Sequence, residues 1–217
     1  MSDIPVIFSA PMVRALLEGR KTMTRRLAWR SSHLGSIDGF ASEELEDFEL
    51  RGWSVRQSGK MTYAYKPSPW QKIKPGDRLW VREAWGESIG RTARFKKGVI
   101  LYRADHGYAV AGQEADLMRW RPSIYMRRTD SRLTLIVTAT KIEPLQNISE
   151  KDAEAEGAEI WPLNASENPN FNDSYRVDFR KVWENIHGQE SWDANSEVVA
   201  LTFIVHQQNI DQVGMAA

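Results

Sequence analysis

The densest group of chemically active side chains in this 217-residue chain lies in the run Gly19-Arg20-Lys21-Thr22-Met23-Thr24-Arg25-Arg26. The run joins a lysine, which is a base when neutral, to hydroxyl groups one and three positions further on. A desolvated lysine beside other cations has a lowered pKa and can take the proton of a threonine that acts as nucleophile. The alternative is a surface strand with solvated cations and threonines that favour β structure. The residues alone leave both interpretations open.

The flanking residues predict the elements that hold this run. Val6–Phe8 is predicted to be a short strand, followed by a helix that Gly19 ends in a left-handed conformation. Thr22–Leu27 then leaves the turn as a second strand. Because side chains alternate along a strand, Thr24 and Arg26 are expected to share one face.

Residue types and spacing exclude several other kinds of site. The chain has no Cys, which removes disulfides, thiol catalysis and cysteine-based zinc sites. Its four histidines lack the spacing of metal ligands, and it has no glycine-rich phosphate loop and no Gly-x-Ser-x-Gly elbow. We therefore predict a site that uses neither a metal nor a cofactor.

The composition is that of an ordinary globular protein, with 41% hydrophobic and 27% charged residues. Its length suits one domain over residues 1–206 with a loose C-terminal tail at 207–217. No apolar run approaches the about 18 residues of a membrane span, and the first residues lack a signal-peptide pattern. We expect a cytoplasmic protein with no membrane partner.

The net charge of zero conceals strong local patches. Residues 14–30 hold six cations and one anion, residues 119–132 hold five cations and one anion, and residues 42–50 hold five anions. Basic side chains interleaved with Trp29 and Trp120 suit a nucleic-acid or nucleotide surface, which needs phosphate pairing beside base stacking. Charge alone slightly favours the other interpretation, in which these cations are solvated and pair with the acidic runs.

Strand patterns dominate the rest of the chain. Further strands are predicted at Arg78–Arg82, Gly98–Arg103, Ser123–Arg128, Ser131–Glu143 and Val198–Val205. Short helices are predicted at Ser149–Glu156 and Asp173–Ile186, with another near Ser42–Phe48. Because the helices are short and do not alternate with the strands, we predict an α+β fold. Its centre is expected to be a small β-barrel flanked by short helices, with insertions at residues 28–70 and 86–122.

Five segments of the chain, LLEGRKTMTRR, GDRLWVREAW, ISEKDAEAEG, FRKVWENIHG and VVALTFIV, carry a resemblance to a known family. Together they resemble the ASCH family, whose fold is PUA-like, and in particular the larger ASCH proteins of phages and prophages. The resemblance extends over the chain except for residues 28–70, 86–122 and the tail. It implies that RNA or a nucleotide binds in a cleft beside the barrel.

Some ASCH proteins are N4-acetylcytidine amidohydrolases that use a Lys, a Thr and a Glu. The resemblance implies that Lys21 is the base, that Thr24 is the nucleophile, and that Glu156 binds the base edge or protonates the leaving amine. Many other members carry Glu at the position of Thr24, so the threonine favours the amidohydrolase branch. Those enzymes are smaller than this chain, whose insertions are expected to gate the cleft, select a larger substrate or bury the site.

Further side chains are predicted to line the cleft and bind substrate or nucleic acid, namely Arg20, Arg25, Arg26, Trp80, Arg82 and Glu83. Three functions compete: an amidohydrolase of N4-acylated cytidine-type nucleosides, a non-catalytic RNA- or DNA-binding module, and a ribonuclease. The combination of Lys21 with Thr24 ranks the hydrolase first. The expected partner is a modified nucleoside or RNA, with DNA as the alternative.

Overall fold

The computed structural model describes residues 1–36, 54–58, 61–90, 96–106, 120–158 and 174–214. These residues form one mixed five-stranded sheet, a three-stranded sheet, a two-stranded sheet and a few short helices. The α+β class predicted from the sequence is confirmed. The helix predicted near Ser42–Phe48 lies outside the described residues.

The strands are Asp3–Ile7 (β1), Met23–Leu27 (β2), Trp29–Ser36 (β3), Ser54–Ser58 (β4), Met61–Pro67 (β5), Arg78–Arg82 (β6), Trp85–Glu87 (β7), Ile100–Tyr102 (β8), Thr134–Pro144 (β9) and Glu197–His206 (β10). The α-helices are Ala10–Leu17 (α1), Arg103–His106 (α2), Glu150–Ala155 (α3) and Tyr175–His187 (α4). Single 3-10 turns occupy Pro69–Lys72, Ser123–Tyr125, Arg128–Asp130, Leu145–Asn147 and Gln189–Ser191. No helix among the described residues is long and apolar enough to span a bilayer.

The central sheet has the strand order β1-β6-β9-β10-β2. Strand β1 runs parallel to β6, and every other neighbouring pair is antiparallel. Its two edge strands are joined by a side chain, because Arg26 on β2 donates from Nη2 to the carbonyl oxygen of Ile7 on β1 at 2.8 Å. The described sheet is thus not a closed barrel, since a single guanidinium contact stands where a ladder of backbone hydrogen bonds would close it.

Strand β10 separates two hydrophobic cores. Val199 and Leu201 belong to the core that packs against α1, whereas Val198 belongs to the core formed with α3 and α4. Side chains directly opposite each other on neighbouring antiparallel strands lie on the same face. Thr24 is opposite Leu201, so it faces the α1 core, while its strand neighbour Arg25 faces the core of α3 and α4.

The helix boundaries around the predicted site follow local chemistry. Gly19 ends α1 with a φ of +74°, as expected for a glycine in the left-handed region. Helix α3 begins at Ser149, whose hydroxyl accepts the backbone N–H of Asp152 at 3.1 Å. Gly157 follows the end of α3 with a φ of +84°. These three predicted boundaries are confirmed.

The structure differs from the sequence prediction in two segments, residues 123–128 and the C-terminal tail. Residues 123–128 form 3-10 turns instead of a strand, because backbone groups such as Met126 N and Ser123 O hydrogen bond locally. The described part of the tail, residues 207–214, is not loose: Ile210 is fully buried, and Asn209 donates to the carbonyl oxygens of Arg128 at 2.8 Å and Ser131 at 2.7 Å. Burial of Ile210 and these hydrogen bonds together anchor the segment.

Residues 29–67 include a separate antiparallel sheet in the order β3-β5-β4. The sequence prediction treats this stretch as part of an insertion without clear periodicity. Ala28, just before β3, accepts a backbone hydrogen bond from Ser68, just after β5, at 2.8 Å. The stretch therefore leaves the central sheet and returns to it at one place, directly after β2.

Candidate functional site

Lys21 is a fully buried lysine in the turn between α1 and β2. Its Nζ donates to the main-chain oxygen of Glu156 at 2.6 Å and to the Oε2 atom of the same residue at 2.8 Å. Burial lowers the pKa of the Lys21 ammonium, Glu156 opposes this change, and the charges of Arg26 and Arg25 add to it. A lysine whose pKa is lowered by burial gives up its proton more readily than an exposed lysine does.

Backbone contacts fix the turn that carries Lys21. Its N–H donates to the carbonyl oxygen of Ala15 in α1 at 3.0 Å, and the N–H of Thr22 donates to Ala155 in α3 at 2.8 Å. A side chain at Gly157 would have its Cβ 3.1 Å from the Ala15 Cβ and 3.2 Å from the Lys21 Cβ. Glycine at this position therefore lets the end of α3, with Glu156, approach the lysine.

The Glu156 carboxylate joins Lys21 to a buried arginine. Arg25 has no exposed side-chain area, and its Nη1 lies 3.4 Å from Glu156 Oε1. Its Nη2 donates to Asp152 and to Glu143, each at 2.8 Å. Lys141 completes this ion-pair network with contacts to Asp152 at 3.1 Å and Glu143 at 3.2 Å. Three cations and three carboxylates thus balance, with members Lys21, Arg25, Lys141, Glu143, Asp152 and Glu156.

Thr24 is buried, with 3% of its surface exposed, and faces the α1 core. Within the described part of the chain, the hydrogen bonds of the Lys21 ammonium go to Glu156 and not to Thr24. The structure therefore brings two of the three predicted catalytic residues into direct contact. It places the third on the adjoining strand, three positions after the lysine.

Arg26 shares the interior face with Thr24 and is held between two aromatic rings. Its guanidinium carbon lies 5.2 Å from the centre of the Phe8 ring and 5.4 Å from the centre of the Trp70 ring. Burial lowers the pKa of this guanidinium. Its Nε is buried and has no hydrogen-bond partner among the described residues.

A groove of about 790 Å³ runs between α1 and α4. Glu156 and Gly157 contribute to its floor, Met12 lines the α1 side, and Phe179 and Val182 line the α4 side. Arg20 also borders the groove; it is exposed and donates from Nε to Glu18 at 2.7 Å. A volume of this size is typical of small-molecule sites. Glu156 is the residue that connects the groove to the buried lysine.

Three other predicted residues lie away from the groove. Trp80 and Arg82 occupy one face of β6, with the guanidinium carbon of Arg82 5.3 Å from a Trp80 ring centre. Glu83 is 2% exposed and accepts a hydrogen bond from Arg132 at 2.9 Å. Burial raises the pKa of the Glu83 carboxyl, and its hydrogen bond with Arg132 opposes that change. None of the three is among the groove-lining residues in the described part of the chain.

The sequence analysis missed the partners of Arg25. Asp152, Glu143 and Lys141 surround the outer part of its ion-pair network. Lys141 and Glu143 are two positions apart on β9, which places opposite charges on one strand face. The spacing of Lys141 and Glu143 was the signal in the sequence that could have indicated this ion pair. The described residues contain no group of three or more His, Asp or Glu arranged to hold a metal ion.

Comparisons with known proteins give one distant structural likeness. No family model matches this chain, and no curated protein matches it. A solved structure, protein EF3133 from Enterococcus faecalis V583, of family DUF984, is 12% identical with a TM-score of 0.38, over 97% of this chain and 84% of that one. A likeness at this level carries no argument about fold or function.

Proposed function

We propose that this protein is an amidohydrolase that cleaves the amide of N4-acylated cytidine-type nucleosides, free or within RNA. The contact between Lys21 and Glu156 supports this function most strongly. These residues are 135 positions apart, yet the Lys21 Nζ lies 2.8 Å from a Glu156 carboxylate oxygen in a buried site. The proposal includes a PUA-like fold. In it, the five-stranded sheet, whose edge strands are joined by the Arg26 side chain, corresponds to the barrel of that fold.

In the reaction that we propose, one proton moves between Lys21 and Glu156. When that proton is on Glu156, the lysine is neutral and can take the hydroxyl proton of Thr24. The Thr24 oxygen then attacks the acyl carbon and forms a tetrahedral intermediate. When this intermediate collapses, the bond from carbon to N4 breaks, and Glu156 gives its proton to the leaving amine. Cytidine leaves, and Thr24 carries the acyl group as an ester.

A water molecule completes the reaction. The Glu156 carboxylate, which has lost its proton, accepts a proton from the water that attacks the ester. Lys21 returns a proton to the Thr24 oxygen as the carboxylic acid leaves, which restores the starting state. The unpartnered Nε of Arg26 is a donor on the Thr24 face that suits an oxyanion.

The route to the nucleophile sets a condition on this mechanism. Glu156 borders the groove, whereas Thr24 is buried and is not a groove-lining residue. The proposal therefore includes a movement of the groove lining that opens a path to the Thr24 hydroxyl when substrate binds. Closure of a site around substrate excludes water and strengthens its electrostatic interactions, at the cost of an opening step.

The function is tested by measuring the conversion of N4-acetylcytidine to cytidine by mass spectrometry. Wild type is compared with Lys21→Ala and Thr24→Ala, and circular dichroism establishes that each is folded. Thr22→Ala and Lys151→Ala are matched controls, because Thr22 and Lys151 are exposed residues of the same types. Turnover that only the first two substitutions abolish supports the hydrolase. Folded wild type without turnover contradicts it and leaves the binding module or ribonuclease.

A further inference from the structure

Arg25 is the most completely buried arginine of the basic run, with no exposed side-chain area. A single buried arginine needs charge compensation, and here three carboxylates supply it. Two of these carboxylates, Glu143 and Asp152, lie outside the proposed reaction. The third, Glu156, is the partner of Lys21. Arg25 therefore connects the proposed catalytic pair to the surrounding structure.

The planar guanidinium makes this connection directional. Nη1 is turned toward Glu156 Oε1, while Nη2 is held by Asp152 and Glu143. Lys21 takes the other carboxylate oxygen, Oε2. Each oxygen of the Glu156 carboxylate thus has its own cation, which restricts rotation of the carboxylate plane. A lysine at position 25 would lack the two-nitrogen fork needed to hold this arrangement.

We propose that Arg25 is a positioning residue, which orients the Glu156 carboxylate toward Lys21 and sets the charge around the lysine, and not a contact for nucleic acid. Its effect on rate rests on the proposed function. Its effect on Lys21 does not, because the ion-pair network exists without substrate. The two effects are therefore measured separately.

The charges around Lys21 give the expected direction. Charged groups on the surrounding elements are Arg25 and Arg26 on β2, Asp152 and Glu156 at α3, Lys141 and Glu143 on β9, Arg14 and Glu18 on α1, and Asp178 on α4. Replacing Arg25 by a neutral residue leaves the ion-pair network with one uncompensated negative charge. That charge favours the protonated lysine, so the midpoint of Lys21 ionisation should rise by about one pH unit.

The experiment follows Lys21 by NMR in protein labelled at the lysine Cε carbons, with Lys21→Met identifying its signal. Arg25→Met and Arg25→Gln remove the charge, and Arg25→Lys retains it. Arg180→Met is the control, because it removes an arginine from an exposed pair with Glu184 at 2.7 Å. We expect the Lys21 midpoint to rise in the neutral variants and to stay near the wild-type value in Arg25→Lys and Arg180→Met.

The rate supplies the second readout. If wild type hydrolyses N4-acetylcytidine, Arg25→Lys should lower kcat between about tenfold and 100-fold with little change in KM, because the carboxylate is misoriented. An unchanged Lys21 midpoint in a folded neutral variant overturns the proposal. So does a failure of both neutral variants to fold while Arg25→Lys keeps the wild-type kcat, which would make Arg25 a purely structural residue. Wild type without turnover, but with the midpoint shift, retains the role of Arg25 and rejects only the proposed function.

Discussion

The two arginine-rich runs of this chain have similar net positive charges but different surroundings. In residues 14–30, Lys21 and Arg25 are buried around Glu156, a carboxylate that borders a groove. In the described part of the second run, residues 120–132, Arg128 and Arg132 are partly exposed and pair with acidic residues far away in the sequence, while Arg127 pairs with Asp130 three positions on. Arg132 contacts Glu83, for example, and side-chain exposure is 24% for this arginine against none for Arg25. Local charge in the sequence thus did not distinguish a candidate functional site from a set of structural ion pairs.

The second run connects segments that are distant from it in the sequence. Arg128 donates to Asp3 in β1 and to Asp211 after β10, each at 2.6 Å. Arg132 donates to Glu83 at 2.9 Å and to Asp105 in α2 at 2.8 Å. Arginines that are occupied in this way are not free for phosphate groups. The first run is thus distinguished from the second by burial around a groove-facing carboxylate, and not by the number of its cations.

The largest expected effect is in the first run. Lys21→Met removes the proposed base, whose pKa is lowered by burial. Turnover of N4-acetylcytidine should therefore fall by about 10³-fold or more. Steady-state kinetics on folded protein checks this loss. Turnover within a few-fold of wild type would break the comparison, since both runs would then be structural.

The second expected effect is on stability and lies in the second run. Arg132→Met leaves the buried Glu83 carboxylate without its arginine, which should lower the free energy of unfolding by about 3 kcal/mol. Urea denaturation measures the change. The kcat/KM of the folded protein should stay at the wild-type value, and a large decrease in it would show that the second run also serves the site.

The third effect concerns the contact between the end of α3 and Lys21. Gly157→Ala combines a φ of +84° with a Cβ that would lie 3.1 Å from Ala15 and 3.2 Å from Lys21. We expect the free energy of unfolding to fall by about 1–2 kcal/mol, and Glu156 to move away from the lysine. Urea denaturation and turnover are both measured. A variant that is as stable and as active as wild type would show that the close approach is not required.

Sequence reasoning predicted well the ends of the helices that carry the turn of Lys21 and Glu156. The helix stop at Gly19, the cap at Ser149 and the glycine at 157 depend on chemistry within a few residues, and all three are confirmed. The pairing of Lys21 with Glu156 was implied only by the family resemblance. Spacing alone cannot predict a contact that spans 135 positions, because it depends on how β2 and α3 pack.

Three other features of the structure were not predicted correctly from the sequence. The burial of Arg25 depends on Glu143 and Asp152, which come from elements that meet only in the folded chain. The predicted strand at residues 123–128 failed because its backbone groups bond within turns. The anchored tail depends on Ile210 reaching a buried position after a long strand. Tertiary packing decided the burial of Arg25 and Ile210, whereas local hydrogen bonds decided the structure of residues 123–128.

The smallest expected effect is a difference between the two regions in how the free energy of unfolding depends on pH. Because burial lowers the pKa of Lys21 below its ordinary value of 10.5, the unfolded chain holds that proton to higher pH than the folded chain does. The contribution of Lys21 to stability should therefore rise with pH until 10.5. Burial raises the pKa of Glu83 above 4.5, so its contribution should fall as pH rises above that value.

Unfolding free energies of Lys21→Met and Glu83→Gln, measured against wild type over a pH series, check these opposite slopes. The difference between wild type and Lys21→Met should grow in favour of wild type toward alkaline pH. The difference between wild type and Glu83→Gln should change in the opposite direction in mildly acidic solution. If both differences in the free energy of unfolding are independent of pH, burial does not shift the pKa of Lys21 and of Glu83 in opposite directions.

The most direct test of the central claim is to identify the acylated residue during turnover. Wild-type protein is mixed with N4-acetylcytidine, quenched with acid and digested, and its peptides are mapped by mass spectrometry. The account predicts an acetyl ester on Thr24 that is absent from Thr24→Ala and from Lys21→Met. An acetyl group on Lys21 instead, or rapid turnover with no acetylated peptide, would contradict a threonine nucleophile activated by Lys21.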